Sequence, residues 1–488
     1  MKKNILFTIL LILEGAFLVG CDSFLEGTTP KMQVDSKVAY NTEQDCSVAL
    51  NGLYYQLGSY YFCGDYVIAV GDFCADIAKA DPSSGHFVSF NTYTFADYTG
   101  ELEDIWSVGY KVINGGTKLI NGIDLLLAET GADTDGLNEL KAQAYALRAY
   151  AYFKLVNIFG LPYNSGDTNE HGGLVLMDKT PIEPEENVSR SSVADTYKLI
   201  DKDIESALAA YENTSINPDA YYFNKSAVNA LKARVSLFEE KWEDAKIYAQ
   251  AAIDLKGVAA VSNKDYTSIW SKTAINDEDI FTLVKSNDDN LSANSLNTLY
   301  GSYGCRLTES MLAEYVVPDT LIVAEVTVIT QDIRKAMVGT MLGNDGDGDL
   351  WKYNGLSSAK AVSNIPQFRI SEMYLILAEA NAELGSLEAA QTALLFVAKR
   401  DEHITKIADL PSSKEDLLVF IAKERKRELC GEGHRLFDAR RTGELISVSD
   451  GKYTDFDVAK FVFPIPSAEI NSGYKCEKND NWDDNMPN

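Results

Sequence analysis

A mainly α-helical fold is predicted: a tetratricopeptide-like scaffold of helical hairpins carrying long irregular insertions. Three observations predict it. Leu140, Ala144, Leu147, Ala151, Leu155 and Ile158 recur at three- and four-residue intervals, the period of a helix that buries one face. Ser226 to Gly257 can be laid over Arg369 to Arg400 so that Ala233 falls on Ala378, Trp242 on Leu387, Glu243 on Glu388 and Ala245 on Ala390. A small residue in each helix and a short polar turn between them match the tetratricopeptide pattern, whose period is roughly 34 residues. The two copies do not follow one another directly, so hairpins separated by long insertions are expected rather than a clean solenoid.

The chain begins with a leader. Lys2 and Lys3 precede an apolar run from Ile5 to Leu13, and Leu18-Val19-Gly20-Cys21 has the form of a lipoprotein cleavage site. Small residues fit the peptidase there, and the Cys21 thiol takes a diacylglyceryl group. An ordinary secretory leader with an incidental cysteine is the alternative. The apolar run is shorter than the roughly 20 residues a bilayer span needs. Residues 1–20 are therefore expected to be a signal peptide and 21–40 a lipid-anchored tether, with a single domain over 41–488.

Asn41 to Leu57 is a first helix, with Val48, Leu50, Leu53 and Tyr54 on its apolar side. From 58 to 100 glycines, aromatics and short polar runs replace helical periodicity. Trp106 to Leu127 returns to helix, with Trp106, Tyr110 and Ile113 as a core stripe. Gly160 and Pro162 stop the long helix that begins at Leu140, since glycine tolerates a left-handed exit and proline cannot continue a turn. A loop from Tyr163 to Arg190 leads to a helix over Ser191 to Tyr211, with Ser191 or Ser192 as N-cap. The first hairpin follows. The stretch 261–365 is the longest without sustained helical period, and irregular excursions on a rigid scaffold are where recognition usually sits.

With 488 residues, 46% of them hydrophobic, the chain can bury a large core. Its net charge of -28 argues against duplex nucleic acid or an anionic bilayer face as partner, because both demand clustered Lys and Arg. Beyond Cys21, six cysteines remain, with no CxxC or zinc spacing among them; they are expected as buried free thiols. Asp345, Asp347 and Asp349 alternate as in a calcium loop, but Leu350 stands where an EF-hand needs Gly and Leu356 where it needs Glu. A solvated acidic turn is the preferred reading, calcium the weaker one, and no other cofactor is expected. Among His86, His171, His403 and His434 there is no HExxH group, and no GxSxG, GxGxxG or GxxxxGK[ST] motif occurs. No catalytic residue is assigned.

Several stretches together resemble the SusD/RagB family of surface lipoproteins from Bacteroidetes. LKAQAYALRAYAYFKLVNIFGLPY resembles the family's early helix through Arg148, Ala149, Tyr152, Phe153, Leu155, Gly160 and Pro162. Asp332-Ile333-Arg334 and FRISEMYLILAEANAELG follow in order, then ERKRELCGEGHRLFDARRTGEL and Phe463-Pro464-Ile465-Pro466 with Glu469-Ile470. The resemblance implies a binding protein without catalysis, lipid-anchored on the outer face of the outer membrane. It implies a SusC-like TonB-dependent β-barrel transporter as partner and an oligosaccharide as ligand. Asp22 and Glu26 resemble the export signal of such lipoproteins. Glu424, Glu428, Arg435, Arg440 and Arg148 are expected in a structural ion-pair network, because buried charges must be partnered.

Sugar rings present apolar faces that stack on aromatics, so the candidate ligand residues are Tyr60, Tyr61, Trp270, Tyr300, Tyr303 and Trp351, drawn from the two excursions. A peptide-capturing member of the same architecture and a tetratricopeptide-like adaptor that organises surface proteins remain as alternatives.

Overall fold

Caps and apolar period together set where the helices begin and end. The computed structural model describes residues 39–129, 131, 134–164, 172–178, 188–257, 262–270, 273–315, 320–323, 326–329, 332–339, 349–350, 352–353, 362–479 and 482–487. Cys21 and the leader lie outside them. Helix α1 (Glu43–Leu57) starts at Thr42, whose hydroxyl accepts from the Asp45 amide. Helix α2 (Tyr66–Phe73) lies in the stretch expected to be irregular. Its residues from Val67 to Phe73 are all buried, so it has no polar face to generate a period.

Helix α3 (Gly100–Leu127) begins six residues before the expected Trp106, and α4 (Thr134–Phe159) ends where Gly160 and Pro162 stop it. The two approach closely. A Cβ built on Gly109 would meet the Leu155 side chain at 2.8 Å, and one on Gly116 would meet the Arg148 Cβ at 3.3 Å. Small residues on α3 therefore admit the bulk of α4.

Ser192 caps α5 (Val193–Tyr211), accepting from the Asp195 amide. The repeated hairpins are α6 (Lys225–Phe238) with α7 (Trp242–Lys256), and α8 (Ile370–Glu383) with α9 (Leu387–Ala398). Ala233, Ala245, Ala378 and Ala390, the four superposed positions, are fully buried. Although more than a hundred residues separate the copies, α7 packs directly on α8. From α3 to α9 each helix packs on the next in the chain, so the insertion loops out of a continuous stack. That is closer to a solenoid than the spacing of the copies suggested.

Strands β1 (Asp279–Leu283) and β2 (Ile365–Arg369) close the root of that insertion. They pair antiparallel, with Asp279 opposite Arg369 and Leu283 opposite Ile365. Helix α10 (Lys414–Glu428) packs on α8, and α11 (Arg435–Thr442) ends at Gly443 with φ 69°. A final hairpin, β3 (Leu445–Val448) with β4 (Tyr453–Asp457), precedes a tail fastened to the end of α4. There the Phe463 amide donates to the Ile158 carbonyl, and Asn479 Nδ2 to the Phe159 carbonyl at 2.9 Å. One contiguous hydrophobic cluster runs from Cys46 to Cys476. All six cysteines from Cys46 to Cys476 are buried free thiols.

Candidate ligand-binding site

The two aromatic-rich excursions meet. The turn after α1 presents Tyr60 and Tyr61 with ring centroids 3.9 Å apart, and both stand edge-on to Tyr66 at 5.6 and 5.8 Å. Tyr66 in turn meets Phe87 at 5.5 Å. Phe87 stacks on Phe73, and Phe73 on Tyr300 from the second excursion, at 5.6 and 5.8 Å. Beside this column His86 lies flat on Tyr303, at 4.1 Å with 8° between the planes. An antiparallel bridge of Ala78–Lys79 with Arg306–Leu307 fastens the excursions together.

Phe87 has φ 52°, an unfavourable backbone for a bulky residue. Burial of its side chain against Phe73, Tyr66 and Phe90 holds it there. The outcome is a buried aromatic column with partly exposed rings at its flank: Tyr60, Tyr61, Tyr66, His86 and Tyr303. Such rings offer flat apolar faces with polar edges, the chemistry that accepts a sugar ring. Three of the candidates drawn from the sequence, Tyr60, Tyr61 and Tyr303, fall on this surface. Tyr66 and His86 were not among them, although they belong to the same aromatic-rich stretch.

Two other candidates are corrected. Tyr300 is fully buried, and its hydroxyl donates to Asp72 Oδ2 at 2.7 Å. Burial pushes the Asp72 carboxyl up to about 7, against the lowering effect of that bond and of the Gly433 amide. Trp270 is 5% exposed and capped by cations: Lys352 Nζ lies 4.8 Å and the Arg369 guanidinium carbon 5.0 Å from its ring centre. Neither ring has a free face for a ligand. Trp351, Asp345 and Asp347 lie outside the described residues, and only the backbone of Asp349 is described. Among the described residues no group of three His, Cys, Asp or Glu side chains could hold a metal ion.

Beneath Trp270 lies the ion-pair network. Glu428 sits among Arg400 Nε at 3.0 Å, Arg369 Nη1 at 3.1 Å and Arg334 Nη1 at 3.6 Å, all of them buried. Burial alone would raise its carboxyl, but the three guanidinium groups hold it down at about 2. Glu424 pairs with Arg334 at 2.9 Å, Arg435 with Asp76 at 2.7 Å, and Arg148 forks onto Asp203 at 2.6 and 2.7 Å. Arg440 departs from the expected ion pairing. Its guanidinium donates to the Asn157 and Gly160 carbonyls, capping the negative end of α4. These charged signature residues thus hold the scaffold together.

Comparison with known proteins agrees with this architecture. A family model described as the SusD family matches residues 244–482, and one described as starch-binding associating with outer membrane matches 24–237. A SusD-like protein of Formosa agariphila is 23% identical over 98% of this chain and 99% of its own. A SusD superfamily protein from Bacteroides vulgatus superposes with TM-score 0.77 at 26% identity, covering 90% of this chain and 99% of that one. A putative sugar binding protein from the same species superposes with TM-score 0.78 at 24% identity, over 91% of this chain and all of that one. Two SusD models that meet end to end along the sequence, on a fold shared over nine-tenths of the chain, establish that this chain belongs to the SusD family.

Proposed function

We propose that this protein captures an oligosaccharide on the aromatic surface formed by Tyr60, Tyr61, Tyr66, His86 and Tyr303. The observation that carries the reading is convergence: rings more than two hundred residues apart in sequence are joined through one buried aromatic column that has partly exposed rings beside it. A hydrophobic core has no need to leave such rings half open. The starch-binding description of the model matching the first half of the chain supports a glycan as ligand class, as does the sugar-binding relative. The protein acts as a binding protein and not as an enzyme, delivering its ligand to a SusC-like β-barrel transporter from a lipid anchor at Cys21. No helix among the described residues is long and apolar enough to cross a membrane, so in this reading attachment rests on the acyl chains.

The test is affinity electrophoresis and calorimetry of residues 22–488 against plant, host and microbial polysaccharides, with peptide digests alongside. Binding to one glycan class, weakened in Tyr303→Ala and Tyr61→Ala, is expected. Binding to peptides alone would replace the glycan reading with peptide capture.

A further inference from the structure

The rings at the two ends of the buried column stand in different charge environments. Helix α2 packs on α3, which carries Glu101 and Asp104 one turn apart on one face, both partly exposed. The Tyr60 hydroxyl is pushed up to about 12 by Tyr61, by burial and then by Asp104. The Tyr66 hydroxyl is pushed up by burial, then by Glu101, Asp104 and Asp65. At the other end the cations Lys79 and Arg306 are paired on the bridge that follows Tyr303. We propose that Glu101 and Asp104 make the end formed by Tyr60, Tyr61 and Tyr66 selective for neutral sugars, accepting hydrogen bonds from sugar hydroxyls and turning away uronic acids and sulfate esters. This selection rests on the reading that these rings hold a glycan.

The needs of the helix account for Glu101 but not for Asp104. Glu101 and Glu103 lie in the first turn of α3, where the helix dipole favours a carboxylate. Asp104 lies beyond that turn, and its carboxyl is pushed up by burial and by Glu103 and Glu101, with Lys111 the weakest influence on it. Among the described residues neither Glu101 nor Asp104 makes a side-chain hydrogen bond or an ion pair. An ionised carboxylate can only accept, so the oxygens of both are open to hydroxyl donors.

The groups that would attract an anion are already spent. The amides that open α2 donate within the protein: Tyr66 to the Tyr60 carbonyl at 2.9 Å, Val67 to the Phe62 carbonyl at 3.0 Å and Ile68 to the Asp65 carbonyl at 2.9 Å. A helix start of the kind that holds phosphate or carboxylate is therefore closed beside these rings. A uronate or sulfate stacked there would bring its charge against two carboxylates, and such repulsion sets specificity as effectively as attraction does.

The test is affinity electrophoresis and calorimetry of the full chain with soluble starch, galactan and arabinan, and with polygalacturonate, alginate and heparin, at low and at high salt. Binding to a neutral polysaccharide and to none of the acidic ones is expected, and the preference should persist at high salt, where repulsion from the chain's net charge of -28 is screened. Asp104→Asn should weaken the neutral ligand about tenfold at both salt levels, the worth of one charge-assisted hydrogen bond. Glu101→Gln gives a second reading at a partly exposed position, and melting curves of both variants should match the parent's. An acidic polysaccharide bound as tightly as a neutral one, or a neutral ligand held with parental affinity by both variants, would overturn the selection while leaving glycan capture standing. Binding of peptides and of no polysaccharide would overturn glycan capture and the selection together.

Discussion

Single buried charges set the pH response of this molecule, and they act in opposite directions. An unfolded aspartate releases its proton near 3.8, whereas Asp72 in the fold holds it up to about 7. Between those values the native state carries the extra proton, so this group's contribution to stability falls as pH rises through the window and is flat above it. Glu428, held at about 2, contributes stability above its unfolded value of 4.5 that is lost only as pH falls toward 2. Asp72→Asn mimics the protonated acid beneath Tyr300. Its advantage over the parent should grow by about 3 kcal/mol between pH 5 and pH 8, measured by urea melts at both values. Arg148 presents the complementary case. Its loss in Arg148→Ala leaves Asp203 buried without a counter-charge and should cost about 3 to 5 kcal/mol. Adding Asp203→Ala should cost less than that change does alone, because the two side chains spend their charge on each other.

Helical elements were the most legible part of the sequence, because their signals are local. Thr42, Ser192 and Asn224 cap helices through their own side chains, and the alanines at 233, 245, 378 and 390 fall where two helices must touch. Helix α2 and the β3–β4 hairpin were not legible. The first is buried on every side and shows no period, and the second is short, with Phe456 alone of β4 buried. The repeat extends to the turns: Glu240, with φ 57°, occupies the place that Gly385, with φ 77°, occupies in the second copy. A side chain in the left-handed region costs about 1 kcal/mol, and glycine avoids that cost. Gly385→Ala should therefore lower stability by about 1 kcal/mol, and Glu240→Gly should raise it by a smaller amount, since the Asn164 hydrogen bond to Glu240 is lost. Thermal melts of the two variants check both signs.

At the scale of the whole molecule, the stack of helices determines which excursion residues become surface. That is why the candidate site was only half legible. An aromatic side chain looks the same in sequence whether it builds the column, as Tyr300 does, or flanks it, as Tyr303 does three residues later. Trp270 illustrates the same ambiguity, for nothing local to it shows that Lys352 and Arg369, roughly eighty and a hundred residues further on, will cover its ring. The distinction is set by pairing across the fold and can be tested by function. Tyr61→Ala and Tyr303→Ala should each weaken the cognate glycan about three- to tenfold, the worth of one stacking contact, with melting temperatures near the parent's. Trp270→Ala should behave in the reverse way, melting several degrees earlier because buried cations lose their aromatic cover, while the folded fraction binds the glycan with parental affinity. Calorimetry and melting of the three variants side by side decide the matter: a Trp270→Ala protein that stays stable but loses its ligand would move the site from the flank of the aromatic column to the ring over the ion-pair network.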